Sequence, residues 1–511
     1  MGTRNGKQLL RVLLAVLLAG VLMTATAAGT VRIATTLAPN TLQPAEATGL
    51  PDATVLRTML EGLVGFRDDE LVGELAESWT VNDDATEYTF ELREGVTFHD
   101  GTPFNAEAVR DYYDWVMDPD SIGTRGRNQL EDLETVEVVD DHTVTLHLSQ
   151  PNGAFLFLLA IGPARTASPA SLDEYGEDVR ENPVGTGPFR FVSWEEGQRV
   201  IVERNDDYWG EPARVDSVEF LVVTNAATRV AMLQSGEVHF IEQLPPQLVP
   251  AIEADPALEV ADVTTNFLRI LQFNTTKEPF DDVRVRQALN HAVDVQQLVD
   301  VAVAGLGTVM TSPLPETTFG HAEQPAYEYD PEKARALLAE AGYPDGFDMK
   351  VLTFTGDEYK SVGQVLQQMF ADVGVNMQLD QQERGALVDQ IFKPADENPT
   401  EAALVGASAS TGDADLAIRT SFVESSFPPA SNNWSFYTDP RVEELVEEAR
   451  RSGDQDVRAE LYAEALEIIW DDAPWVFLYS PDSVGGRAVS LTGVDYTADN
   501  TVDARFAEFL D

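Results

Sequence analysis

Residues Phe267 to Asp294 read FLRILQFNTTKEPFDDVRVRQALNHAVD, and the reading of this stretch decides the fold. The apolar run Leu268 to Phe273 predicts a buried strand. Asn274 and Thr275 end it, Pro279 breaks the chain, and Asp281 or Asp282 is placed to cap a following helix. Val285, Ala288, Leu289, Ala292 and Val293 recur at helical spacing and so share one buried face. A strand, a short loop and an amphipathic helix make one unit of an α/β domain.

Outward from this unit, length and composition set bounds. At 511 residues the chain is too long for one core, so two or three domains are expected. A hydrophobic content of 43% excludes wholesale disorder. The net charge of −53 repels nucleic acid and anionic lipid, and predicts a solvated, salt-tolerant surface. Cysteine is absent, which excludes disulfides, thiolate metal sites, a cysteine nucleophile and a lipoprotein anchor. Arg4 and Lys7, the apolar core Val12 to Met23, and Ala25-Thr26-Ala27 predict a secretory signal peptide over residues 1–28, cut near Ala27. A product exported to a periplasm and not lipid-anchored is expected.

Toward the N-terminus, Val31 to Thr35 reads as a first strand, and Thr54 to Gly65 as a helix burying Val55, Met59, Leu60 and Leu63. Trp79 and Val81, the turn Asn82-Asp83-Asp84, and Tyr88, Phe90 and Leu92 predict a hairpin. Val136, Val138, Val144, Leu146 and Leu148 predict another. Asn105 is expected to cap a helix with Val109, Tyr112, Tyr113, Val116 and Met117 on its buried face. His99 is read as a turn histidine, since no second histidine or thiol stands at ligand spacing. Gly185, Gly187 and Pro188 read as a tight turn that lacks the lysine and helix start of a phosphate loop. Toward the C-terminus, helices alternate with strands: Asp330-Pro331 opens one that Gly342 closes, and Val365, Leu366, Met369, Phe370 and Val373 stripe the next. This alternation argues for βαβ units. Ala403 to Ser408 reads as a small-residue strand leading into STGDADLAIRTSF.

Several of these stretches carry a resemblance. FNTTKEPFDDVRVRQALNHAVD resembles a signature of the family 5 extracellular solute-binding proteins, the receptors of ABC importers for peptides, nickel and glutathione. LAESWTVNDDATEYTFELREGVTFHDGTPFNAEAV, NPVGTGPFRFVSWEEGQRVIVERNDDYWG and YDPEKARALLAEAGYPDGFDMKV resemble further motifs of the same family, in the same order. RVAMLQSGEVHFIE also resembles it, but has His239 where the family favours aspartate.

The resemblance implies a periplasmic-binding-protein-like α/β fold. Two α/β lobes are joined by two crossovers, and an α+β domain is inserted in the first. Lobe I is expected over residues 29–67, 184–267 and 480–511, inserted domain II over 68–183 and lobe III over 268–479. It implies a monomer without a cofactor that captures a short peptide, such as a dipeptide, an oligopeptide or a glutathione-like solute, and docks onto the transmembrane subunits of an ABC permease. Nickel chelates, opines and sugars are the alternative solutes. A peptide-handling chaperone or a hydrolase is the alternative class, and the absence of a metal pattern, a GxSxG elbow and cysteine speaks against an enzyme.

In peptide-binding members an aspartate after the corresponding strand holds the ligand's ammonium, and Asp413 and Asp415 match that place. They also stand at a strand C-terminus, where α/β folds bind ligands. Arg419, Arg125 and Arg127 are the candidates for a ligand carboxylate, since a guanidinium forks onto both oxygens. Trp434 is a candidate cleft wall, and Thr35 at the end of the first strand is placed with them.

Overall fold

Two crossings of the chain, at Thr265-Asn266 and at Pro481, join two β-sheets. The structure is a computed structural model and describes residues 29–47, 49–67 and 70–510. The signal-peptide expectation therefore lies outside the described residues. No helix among the described residues is long and apolar enough to cross a membrane.

In the first sheet Thr30–Thr35 runs parallel to Ser217–Val222 on one side and to Phe240–Ile241 on the other. Arg199–Arg204 and Phe189–Glu195 extend it in antiparallel fashion. In the second sheet Phe267–Phe273 pairs antiparallel with Ala402–Ser408, and Asp348–Phe354 and Asn376–Gln382 follow in parallel. The helix Asp357–Asp372 connects the last two, which completes a βαβ unit. One long strand, Trp475–Ala488, belongs to both sheets. Its first half pairs with Phe267–Phe273 and its second half with Leu258–Thr264.

The apolar residues on both sides of the strand from Leu268 to Phe273, interrupted by Arg269 and Gln272, now have a cause. Leu271 and Phe273 pack into the core on one face of the second sheet with Val285, Ala288 and Leu289. Leu268 and Ile270 pack into a separate core on the other face with Val405, Ile418 and Leu445. A sheet covered on both sides needs no polar alternation. Of the two possible caps, Asp282 is the one used: its carboxylate accepts from the Arg284 N–H at the start of the helix Val283–His291.

Residues 70–183 build a four-stranded antiparallel sheet in the order Ala76–Val81, Glu87–Leu92, Thr143–Leu148, Leu133–Asp140. The helix Ala106–Met117 packs on it, with the Asn105 side chain accepting from the Ala108 N–H. Its core is continuous with that of the first sheet: Tyr88, Phe90 and Tyr112 belong to the same buried cluster as Val31 and Ile33.

One element differs from expectation. The helix predicted over Thr54 to Gly65 is Leu50–Leu56 and stops at Arg57. The carbonyls beyond it are taken by residues of other segments rather than by the next helical turn. Gly187 and Phe189 donate to Met59 and Thr58, and Leu75 donates to Gly62. A Cβ on Gly187 would lie 2.7 Å from the Met59 carbonyl carbon, so this close backbone approach requires glycine.

Candidate ligand-binding cleft

Where the two sheets meet, the chain encloses a cavity of about 210 Å³. Its floor is Asn266, the residue between Leu258–Thr264 and Phe267–Phe273. The first-sheet side contributes Arg57, Phe66 and the loop Tyr496 to Asp499, and the second-sheet side contributes Thr317, Ser410 and Gly412. A second hollow of about 620 Å³ shares Thr317 with the first and runs between Trp79 and Phe157 of the inserted domain and Phe319. Adjoining clefts of this size, apolar with a few polar groups, suit a small organic ligand.

Local geometry fixes each wall. The Asn266 N–H donates to Ala498 O at 2.9 Å, and Asn266 O accepts from the Ala409 N–H at 2.9 Å. The crossover residue thus ties a loop of each lobe to itself. Tyr496 Oη accepts from the Gln243 N–H at 2.8 Å and anchors its loop. Gly412 has φ +76°, and a Cβ there would meet the Phe66 ring at 3.1 Å, so glycine lets the two lobes approach.

The cavity carries one charge of each sign. Arg57 Nη1 donates to Thr497 Oγ1 at 3.0 Å, and Nη2 lies 3.6 Å from Asp499 Oδ2. Asp499 Oδ1 accepts from Thr497 Oγ1 at 2.5 Å, from Thr501 Oγ1 at 2.7 Å and from the Thr501 N–H at 3.1 Å. Burial alone would raise the Asp499 carboxyl, but Arg57 and these donors hold it below the usual carboxylate range. Behind the wall, Glu74 binds Arg505 at 2.8 Å and Arg165 at 3.4 Å, which braces the same side. Asn266 Oδ1 and Thr317 Oγ1 are buried without a hydrogen-bond partner.

None of the seven residues proposed from sequence lines this cavity. Asp413 is 0% exposed, and both of its oxygens accept from Arg458 Nη2 at 2.8 Å. Asp413 also caps the helix Ala414–Phe422 through the Asp415 N–H at 2.8 Å. Asp415 is 2% exposed and pairs with Arg419 at 2.9 Å and Arg450 at 3.4 Å. Arg450 in turn reaches Asp132 of the inserted domain at 2.7 Å. Both acids are buried and face arginines rather than this cavity, while Asp415 Oδ1 is buried without a hydrogen-bond partner. From the loop after Ala402–Ser408, the residues that line this cavity are Ser410 and Gly412. Arg419 is engaged by Asp415. Arg125 is exposed on the helix Thr124–Gln129, and Arg127 donates to the Val116 and Asp118 carbonyls at the end of a neighbouring helix. Thr35 is buried, with its hydroxyl within 3.3 Å of the Leu37 and Leu221 carbonyls. Trp434 packs edge-on against Phe392 with ring centroids 5.4 Å apart.

Sequence reasoning did not single out Arg57, Asp499 or Asn266, which line this cavity. Arg57 carries a faint signal, a cation at the edge of the apolar stripe Val55, Met59 and Leu60. Asp499 carries none among 87 acidic residues. Among the described residues no group of three or more histidine, aspartate or glutamate side chains is placed to hold a metal.

Comparison with known proteins follows the same lines. Residues 70–440 match the model of the "Bacterial extracellular solute-binding proteins, family 5 Middle". The glutathione-binding protein GsiB of Pectobacterium atrosepticum is 37% identical over 457 residues, 88% of each chain. The structure of HbpA2 from Haemophilus parasuis superposes with a TM-score of 0.85 at 28% identity, covering 94% of this chain and 100% of that one. DppA from Helicobacter pylori, an ABC transporter-associated periplasmic binding protein in complex with the peptide STSA, gives 0.74 at 28% identity over 96% and 100% of the two chains. The chain belongs to family 5 of the bacterial extracellular solute-binding proteins.

Proposed function

We propose that this protein is the extracytoplasmic receptor of an ABC importer, and that its solute is a short peptide or a glutathione-like peptide bound between the lobes. The observation that carries this reading is the cavity at the crossovers. Its walls come from both sheets, so a rotation of one sheet against the other about Asn266 and Pro481 opens or closes it. The names of the relatives support the choice of solute: one binds glutathione and one was crystallised with a peptide. An opposite charge pair at the wall, Arg57 and Asp499, supports a zwitterionic ligand. A ligand that binds the closed arrangement better shifts the protein toward it, and the closed form is what a permease recognises. The receptor acts as a monomer without a cofactor, in the periplasm, and it releases its ligand chemically unchanged.

Calorimetry with glutathione and a panel of di- and tripeptides tests this. At least one of them should bind at micromolar affinity or tighter, about −8 kcal/mol, and mass spectrometry should recover it intact. Absence of binding to every peptide at millimolar concentration, or recovery of cleaved fragments, would refute the reading.

A further inference from the structure

We infer that Arg450 is a positioning residue for solute capture: through Asp132 it latches the inserted domain onto the second lobe when the cleft is shut, and it passes to Asp415 when the cleft opens. This rests on the reading of the protein as a two-lobed receptor and names what holds that receptor shut.

The first support is where the ion pair lies. Arg450 ends the helix Pro440–Arg450 of the second lobe, and Asp132 precedes the strand Leu133–Asp140 of the inserted domain. Arg450 Nη2 donates to Asp132 Oδ2 at 2.7 Å, and the two side chains are 10% and 6% exposed. Around this pair the two units meet backbone to backbone. The Gly153 N–H donates to Arg450 O at 2.7 Å, and the Gly453 N–H donates to Asp83 O at 3.3 Å. A Cβ on Gly153 would lie 2.4 Å from Ser452 O, and one on Gly453 would lie 2.3 Å from Asn82 O. Glycine on each side lets the surfaces come this close. The contact stands at the rim of the hollow of about 620 Å³, whose walls include Leu156 and Phe157, just after Gly153, and Gln455, just after Gly453. Parting the two surfaces therefore opens that hollow.

The second support is that each charge keeps a partner after the surfaces part. Asp132 is served within its own domain: Gln150 Nε2 donates to its Oδ1 at 2.5 Å and Asn152 Nδ2 to its Oδ2 at 2.8 Å. Arg450 has a second acid within its own lobe, since its Nη1 lies 3.4 Å from Asp415 Oδ2. That oxygen also accepts from Arg419, while Asp415 Oδ1 is buried with no hydrogen-bond partner. A buried acceptor left empty is costly and calls for a cause. Here it is the place that the Arg450 guanidinium takes once Asp132 has withdrawn. Breaking a buried ion pair is expensive when it strands a charge, and much less so when the charge exchanges one partner for another. The latch therefore closes and opens at small net cost, as a receptor that must release its solute requires.

The test is the distance between the two surfaces in the chain without solute. The sequence has no cysteine, so Val139→Cys in the inserted domain and Val457→Cys in the second lobe, at positions 55% and 42% exposed, take one nitroxide each. Pulsed electron resonance reads the distance between them. The labelled chain should show a short distance in a substantial share of molecules. Arg450→Met and Asp132→Asn should each lower the ratio of short to long by about tenfold or more, as loss of one partner of a desolvated pair does. Combining them should add less than about a further twofold, since both remove the same contact. Asp415→Asn removes the partner used in the open form and should add no long-distance population. If Asp132→Asn does not fold, Arg450→Met decides, because it leaves Asp132 with Gln150 and Asn152 and leaves Asp415 with Arg419. A labelled chain found only at the long distance, or variants whose distances coincide with it, overturns the latch. A lengthening by Asp415→Asn equal to that by Asp132→Asn overturns the exchange of partners. Failure of every peptide to bind refutes the receptor reading and is read in a separate assay, so the two failures are distinguishable.

Discussion

Replacing Asp413 by asparagine should cost stability and spare the cavity, the opposite of what its place in the sequence suggests. Asp413 and Arg458 are both 0% exposed, and one guanidinium nitrogen reaches both carboxylate oxygens at 2.8 Å. Tyr462 Oη lies 2.9 Å from the same nitrogen, and the Arg458 guanidinium stacks over the Phe319 and Tyr462 rings at 5.2 and 5.3 Å. Burial disfavours the arginine's charge, but Asp413 more than offsets this and holds it protonated. Asparagine keeps the cap on the helix Ala414–Phe422 but leaves the arginine charge buried without a counter-charge. Loss of one partner of such a pair costs about 3–5 kcal/mol. At roughly 2–4 °C per kcal/mol for a folding unit of this size, melting should fall by about 6–20 °C. Calorimetric melting of wild type, Asp413→Asn, Arg458→Met and the double variant measures it. The double variant should be more stable than the sum of the single losses predicts, because it removes the stranded charge. A single variant that melts within about 2 °C of wild type yet loses its ligand would refute the structural role and return Asp413 to the binding site.

Three further outcomes are expected. With a net charge of −53, screening should raise the melting temperature between dilute and molar salt, and a flat or falling response would show that the acids are compensated locally. His99 donates from Nε2 to Gly187 O at 3.0 Å and accepts at Nδ1 from the Gly185 N–H at 3.3 Å, so the fold requires its neutral form. Burial, against the pull of the Gly187 carbonyl, lowers its imidazole to about 4. Its contribution is therefore complete above pH 6.5 and is lost as pH falls through 4, because the unfolded chain takes up the proton first. Denaturant titrations should show His99→Gln with a shallower loss of stability across that window than wild type, by up to about 1.4 kcal/mol per pH unit, and equal slopes would refute the assignment. Gly412→Ala should both strain a φ of +76° and press on Phe66, costing about 1–2 kcal/mol and weakening ligand binding, whereas unchanged melting and affinity would show that the lobes do not rely on that approach.

What the sequence disclosed, and what it hid, divides along contact distance in the chain. The strand and helix of residues 267–291 were legible because their signals are local: an apolar run, a proline, an aspartate cap and a helical stripe. The hairpins of the inserted domain were legible for the same reason. The helix expected from Thr54 to Gly65 was misjudged at both ends: it begins at Leu50 and stops at Arg57 although its apolar spacing continues, because carbonyls beyond it are captured by Leu75, Gly187 and Phe189. The site was hidden by the same rule. Whether Asp413 faces solvent, a ligand or an arginine depends on Arg458, 45 residues on, in a helix whose pattern says nothing of the pairing. Arg57 acquires its meaning only from Thr497, 440 positions later. In a chain this acidic, residue type and strand-end position select many carboxylates equally well. What sets Asp499 apart is its place at the cavity wall 3.6 Å from Arg57, and only the folded chain brings those two together.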